Sequence, residues 1–114
     1  MAPIEGDQLR GHLASLVLAA LEQGTAHGWE IWTRLEAAGQ GALRLKEGSL
    51  YPALYRLEHR SLITAEWGQS ENNRRAKYYT LTAAGRRCLR EETAGWNRLV
   101  SAIAAALSAT PGEV

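Results

Sequence analysis

A mainly helical domain with one small β-hairpin is the fold class this sequence predicts. Three observations predict it. Apolar residues recur with helical spacing in three segments up to Arg60 and again after Thr82. Between Ile63 and Leu81 the period changes to the alternation of strands, interrupted by a run of turn formers. The length of 114 residues, 46% hydrophobic and 22% charged, is that of one ordinary globular domain.

From Asp7 to Gln23, Leu9, Leu13, Leu16, Val17, Ala20 and Leu21 recur with helical spacing, and Gly24 and Thr25 end the run. A second helix is expected over His27 to Ala38, with Trp29, Ile31, Trp32 and Leu35 as bulk and Gly39 as the stop. Gly39-Gln40-Gly41 reads as a turn. The third helix is expected from about Glu47 to Arg60. Leu50, Leu54 and Leu57 stand at i, i+4 and i+7, so they share the face that enters the core. At about 100° per residue, Pro52, Tyr55, Arg56 and His59 fall on the opposite side. Pro52 is tolerable only in a first turn, where its missing N–H has no helical partner, which places the start near Ser49, a good N-cap.

After Ser61, Ile63, Ala65 and Trp67 alternate with Thr64 and Glu66, a strand pattern. Gly68 to Asn73 is rich in turn formers, and Lys77 to Leu81 reads as the returning strand of a hairpin. Thr82 is an N-cap for a last helix of about 25 residues, roughly 37 Å long. Its apolar stripe is Leu89, Trp96, Leu99, Val100, Ile103 and Leu107, and Pro111 to Val114 is a frayed tail. Such a helix outruns a compact domain of this size, so its far end lacks cover from its own chain. Leaving each large side chain in water costs about 1.5–3 kcal/mol, and a twofold copy would cover them.

Three helices, a hairpin and a long helix, in that order, make a winged helix-turn-helix with an appended dimerisation arm. The organisation expected is a winged DNA-binding part over residues 8–82 and a dimerisation helix over 83–108, forming one compact unit. The net charge of +1 is unevenly spread: residues 1–43 carry −3, residues 44–77 carry +3 and the remainder +1. The basic third coincides with the third helix and the hairpin, where an anionic partner would be attracted. Arg56 suits guanine or a phosphate at the groove edge, and Ser49 at a helix start suits a phosphate oxygen. Tyr51 and Tyr55 are placed to hydrogen-bond phosphate, with Lys46 just ahead of the helix. Arg74, Arg75 and Lys77, at the hairpin tip and returning strand, suit a minor groove or the backbone. Taken singly, each of these is as well explained by a solvated face or a core edge; their adjacency is what points to double-stranded DNA.

Other chemistries find little support. His12, His27 and His59 are scattered and make no metal-ligand spacing with Cys88; His27 and Glu30, three apart, are a pair alone. No glycine-rich phosphate loop precedes a helix, so neither an enzyme nor a cofactor is expected. Cys88 stands between Arg87 and Arg90, a setting for redox sensing, although an incidental thiol is the plainer reading. One cysteine permits no intrachain disulfide, which fits a reducing cytoplasm. The N-terminus has no basic region followed by an apolar core, so no export signal is expected. The longest charge-free stretch, Leu99 to Gly112, falls short of the about 20 apolar residues a bilayer requires. Two other classes stay open: a dimer that binds a flat hydrophobic ligand beside Trp96, with DNA secondary, and a winged-helix protein–protein adaptor.

Three segments carry a family resemblance: His27-Gly28-Trp29-Glu30-Ile31; Glu47-Gly48-Ser49-Leu50-Tyr51-Pro52-Ala53-Leu54-Tyr55-Arg56-Leu57-Glu58; and Arg75-Ala76-Lys77-Tyr78-Tyr79-Thr80-Leu81-Thr82-Ala83-Ala84-Gly85. Together, over about residues 8–107, they strongly resemble the PadR family of bacterial transcriptional regulators, in its short type with one C-terminal helix. The resemblance implies a dimeric, cytoplasmic winged-helix repressor on palindromic operators near its own or neighbouring genes. Effectors in the family vary, from phenolic acids to flat hydrophobic drugs held at the dimer centre. Carried over by position, Ser49, Tyr51, Pro52, Tyr55 and Arg56 belong to the reading helix, and Arg74, Arg75 and Lys77 to the wing. The dimer face would comprise Trp96, Leu99, Val100, Ile103 and Leu107, with Leu13, Leu16 and Val17 of the first helix sharing it. Trp29 departs from the family, which usually has Tyr there, so no hydroxyl contact to phosphate carries over to this position.

Overall fold

A computed structural model of the chain describes residues 9–109. The expected helix start at Asp7, the reading of the N-terminus and the tail at 111–114 lie outside the described residues. A single 3₁₀ turn, Arg10–His12, leads into α1 (Leu13–Glu22), which buries Leu13, Val17, Leu18, Ala20 and Leu21. The end of α1 is held by a residue the spacing did not single out. Arg34 donates to the carbonyls of Ala20 (3.0 Å) and Gly24 (2.6 Å), filling acceptors that a helix C-terminus leaves open. Gly24, at φ +126°, makes the turn that follows, a conformation few other residues adopt.

A two-residue strand, β1 (Ala26–His27), comes next and pairs antiparallel with Tyr78 and Tyr79. It has no periodicity to read, so the expected two-stranded hairpin is in fact the larger part of a three-stranded sheet, with the hairpin's returning strand at its centre. Helix α2 (Gly28–Ala38) opens with a capping box. The His27 Nδ1 accepts from the Glu30 N–H, and the Glu30 carboxylate accepts from the His27 N–H. That reciprocal cap is what the three-residue spacing of His27 and Glu30 serves. Gly39 ends α2, and Gln40 and Gly41 turn through positive φ, as expected of that segment.

The third helix begins as a 3₁₀ turn, Glu47–Ser49, and continues as α3 (Leu50–His59). Ser49 stands at the N-cap but does not cap with its side chain; its hydroxyl turns back to donate to the Lys46 carbonyl at 2.7 Å. This corrects the expected capping role, because the tight preceding turn has already claimed the hydroxyl. Leu50, Leu54 and Leu57 enter the core together, with Ala53 between them.

Strands β2 (Ile63–Gln69) and β3 (Arg75–Leu81) are both longer than their alternation suggests. Their ladder runs from Ile63 opposite Leu81 to Gln69 opposite Arg75 and takes in Gly68, over which the Tyr78 ring lies. The connecting turn closes with the Ser70 N–H on the Arg74 carbonyl (2.8 Å) and Asn73 at φ +61°. Helix α4 (Ala83–Ser108) follows, 26 residues long, and Thr82 caps it as expected by accepting from the Gly85 N–H.

Helix α1 lies at the centre, packed against α2, α3, α4 and β3. Val17, Leu18, Ile31, Leu54 and Ile63 are closed off around it. This placement corrects two of the expected dimer residues. Leu13 and Val17, at 6% and 0% exposure, are filled in by their own chain and have no surface to offer a partner. Leu16 is half-buried at the edge. Along α4, Gly85 and Leu89 are buried, but every residue from Trp96 to Ser108 is exposed. The 64 Å long dimension of a molecule only 32 and 20 Å across reflects this projecting helix.

Candidate nucleic-acid interface

The outer side of α3 presents Tyr51, Pro52, Tyr55, Arg56 and His59, all exposed. They are opposite the buried leucines because the helix has one apolar stripe and the rest must face water. The Tyr55 and His59 rings stack one turn apart, nearly parallel at 11° with centroids 6.2 Å apart. Tyr51 lies directly over Gly28: a Cβ there would run into the phenol, so glycine is what lets α3 cross so close to the start of α2. Trp29, the next residue, is 68% exposed beside that crossing. Lys46 is exposed just ahead of the helix, and Ser49 is half-buried with its hydroxyl engaged as described above.

The hairpin brings three more cations to this side. Arg74 and Arg75 are exposed near the turn. The Arg75 guanidinium lies over the Trp67 ring, 4.5 Å from its centroid. Lys77 is occupied differently: its Nζ reaches the Glu58 carboxylate of α3 at 3.4 Å, both side chains 36% exposed. An ion pair this exposed contributes at most about 1 kcal/mol, but it ties the hairpin to α3 and shows which face of the hairpin looks toward that helix. Tyr79 lies two residues along that face. Burial first, then the nearby Glu58 carboxylate and Tyr51, raise its phenol above the ordinary value of 10.0.

A second feature lies on the other side of α1. Helices α1 and α4 leave between them an open groove of about 900 Å³, lined by His12, Leu16, Ala19, Leu43, Cys88 and Trp96 among others. Its size falls within the range of small-molecule sites, roughly 300–1,000 Å³. The Trp96 ring stands edge-on to His12, centroids 5.0 Å apart, and the Ser15 hydroxyl donates to Glu92 across the groove at 3.1 Å. Cys88 lies in the groove wall, half-buried, whereas Arg90 lies about 200° round the helix from it. Among the described residues there is no cluster of three or more metal-ligating side chains, and no helix is long and apolar enough to cross a membrane.

Most of the DNA-facing residues expected from the sequence therefore gather on one side of the molecule. Two neighbours escaped notice. Glu58 reads as an ordinary helix carboxylate until the ladder sets Lys77 against it. Trp67 reads only as a strand residue in alternation with Ile63 and Ala65; it is 59% exposed because the strands outrun the domain.

Residues 17–91, most of the winged unit just described, match the transcriptional regulator PadR-like family. The chain belongs to that family. A PadR-like transcriptional regulator from Bacillus cereus superimposes with a TM-score of 0.77 at 28% identity, over 92% of this chain and 100% of the other. A PadR family regulator from Eggerthella lenta gives 0.77 at 32% identity, over 91% and 88%. A protein without an assigned function from Lysinibacillus sphaericus is 30% identical over 93 residues, 82% of this chain and 85% of that one. The PadR-like chain is thus a winged-helix, DNA-binding transcription regulator; the family's business is regulation and not catalysis.

Proposed function

We propose that this PadR-like regulator is a homodimeric repressor that sits on a palindromic operator and leaves it when a flat hydrophobic molecule enters the groove between α1 and α4. In this reading the winged part through Thr82 binds DNA, helix 83–108 joins two chains, and the protein works in the bacterial cytoplasm. The observation that carries it is the uncovered stripe of α4: Trp96, Leu99, Val100, Ile103 and Leu107 are between 44% and 82% exposed. Five large apolar side chains on one helix face are a patch that soluble monomers seldom leave bare. A second copy related by a twofold axis covers them with their own counterparts and brings two reading helices about 34 Å apart, one turn of DNA. Leu16 and Trp96 stand where the stripe meets the groove, so a ligand there would bear on the pairing of the chains.

On DNA, Tyr51, Pro52, Tyr55 and Arg56 would face the major groove. Lys46 and Ser49 would lie at the phosphates beside it, and Arg74, Arg75 and Lys77 would reach the flanking backbone or minor groove. Phosphate contacts supply most of the affinity and make it fall steeply with salt.

The test is binding of the purified protein to the duplex upstream of its own reading frame, against random duplex, across a salt series. Tight, selective binding with one dimer per palindrome is the expected result, and Arg56→Ala should weaken it by about 1–3 kcal/mol if Arg56 reads a base. Equal loss on specific and random duplex would remove the base-reading role of Arg56. Absence of binding to either duplex at low salt would overturn the operator reading and leave the groove ligand or a protein partner as the function.

A further inference from the structure

The inner face of the hairpin continues an apolar surface past the point where the domain can cover it. Along that face Ile63 pairs with Leu81 and Ala65 with Tyr79, all buried or half-buried against the core. The next pair outward is Trp67 with Lys77, then Gln69 with Arg75. At about 3.4 Å per residue, these last two pairs carry the face roughly 13 Å beyond Ala65. An aromatic 59% exposed in that position is costly in water, and in this chain its only ring partners among the described residues are cations: Arg75 at 4.5 Å and Lys77 at 6.0 Å. The Lys77–Glu58 pair turns this face toward α3. Glu66 alternates to the opposite face of the strand, so no carboxylate of β2 opposes the cations here.

We propose that Trp67 is a DNA-binding residue of the wing: its indole packs on the deoxyribose of the backbone strand flanking the groove that α3 reads, and holds Arg75 aimed at the adjacent phosphate. The proposal rests on the DNA-binding reading of the family and adds a contact that reading does not contain. A sugar edge is the apolar part of DNA that a projecting ring meets, and charge complementarity selects the polyanion over an apolar protein partner. The stack matters for Arg75 as well. A guanidinium lying on a ring keeps its edge N–H groups free while giving up rotamer freedom before binding, so less is lost when it meets phosphate.

The experiment compares wild type, Trp67→Phe, Trp67→Ala, Arg75→Ala and the double alanine variant on a random-sequence duplex and on a single-stranded oligonucleotide across a salt series. Far-UV circular dichroism and melting would verify each fold. Trp67→Ala should weaken duplex binding about tenfold with little change in salt slope, and Arg75→Ala should lower the slope by about one. The double variant should lose less than the two single losses combined, because the ring orients the cation. Trp67→Phe, which keeps a ring, should stay within about threefold of wild type. Acrylamide quenching of the fluorescence that wild type has and Trp67→Phe lacks should fall when duplex is added. Wild-type affinity in Trp67→Ala, with wild type itself binding duplex, would overturn this contact alone. Failure of wild type to bind duplex at low salt would overturn the DNA reading and the contact with it. A loss confined to the single strand would assign Trp67 to base stacking instead and also overturn the proposal.

Discussion

Replacing Ile103 by Asp should separate the two chains of the proposed dimer without disturbing the winged part. Ile103 is 48% exposed and lies beyond the last residue of α4 that lines the groove with α1, Leu99. Half of a large aliphatic side chain is therefore available to a partner, worth about 1 kcal/mol per chain and about 2 kcal/mol per dimer. The substitution also places two carboxylates on an apolar seam near a twofold axis, at a desolvation cost of several kcal/mol per buried ion. A combined loss of at least about 4 kcal/mol corresponds to roughly a thousandfold weaker association. Sedimentation equilibrium over a wide concentration range reads this directly, with near-UV circular dichroism to show that the core around Val17 and Ile31 is intact. On DNA, binding to a palindrome should fall toward that for random duplex, since each half-site is then engaged singly. A dimer as tight as wild type would refute the argument that the bare stripe of α4 is the seam.

Other consequences are more local. Gly85→Ala places a methyl against the Leu62 carbonyl and the Leu81 side chain, so overpacking of about 1–3 kcal/mol should lower the melting midpoint by several degrees; an unchanged midpoint would show that the helix start yields freely. Tyr79→Phe should protect the fold in alkali. The raised phenol contributes stability that is fully present below its unfolded value near 10 and is lost as pH rises through the higher folded value, so the variant's urea midpoint should decline less above pH 10. Planar hydrophobic compounds should quench tryptophan fluorescence in wild type and much less in Trp96→Ala; identical quenching in the two would place any ligand elsewhere than the groove.

The sequence made most of this molecule readable because its helices carry one apolar stripe each. Leu50, Leu54 and Leu57 define the buried side of α3 and, by exclusion, the side on which Tyr55 and Arg56 stand exposed. Thr82 was legible as a cap because a polar residue ends one pattern just where another begins. What escaped has physical reasons. Strand β1 is two residues long and exists only because Tyr78 and Tyr79 offer it an edge. Alternation assigns Trp67 a face but does not say where the core stops along that face. Spacing places Leu13 and Val17 on the stripe with Leu16 but does not show how much of that stripe α2, α3 and α4 close over. The pairing of Lys77 with Glu58 depends on the hairpin's register and lean, which no local pattern encodes.

The joint at Thr82 has a mechanical meaning. Its hydroxyl, besides capping α4, donates toward the carbonyls of Ser61 and Leu62, at 2.9 and 3.0 Å, and Gly85 lies directly on Leu62. The root of a long lever is thus bolted to the loop between α3 and β2. A tilt of about 5° there would swing the tip of a 26-residue helix, roughly 39 Å away, by about 3 Å. In the proposed twofold dimer both chains would share the displacement, and the distance between the surfaces proposed to face DNA would follow that angle. The stiffness of one threonine–glycine corner would then set how much variation in half-site spacing the regulator tolerates.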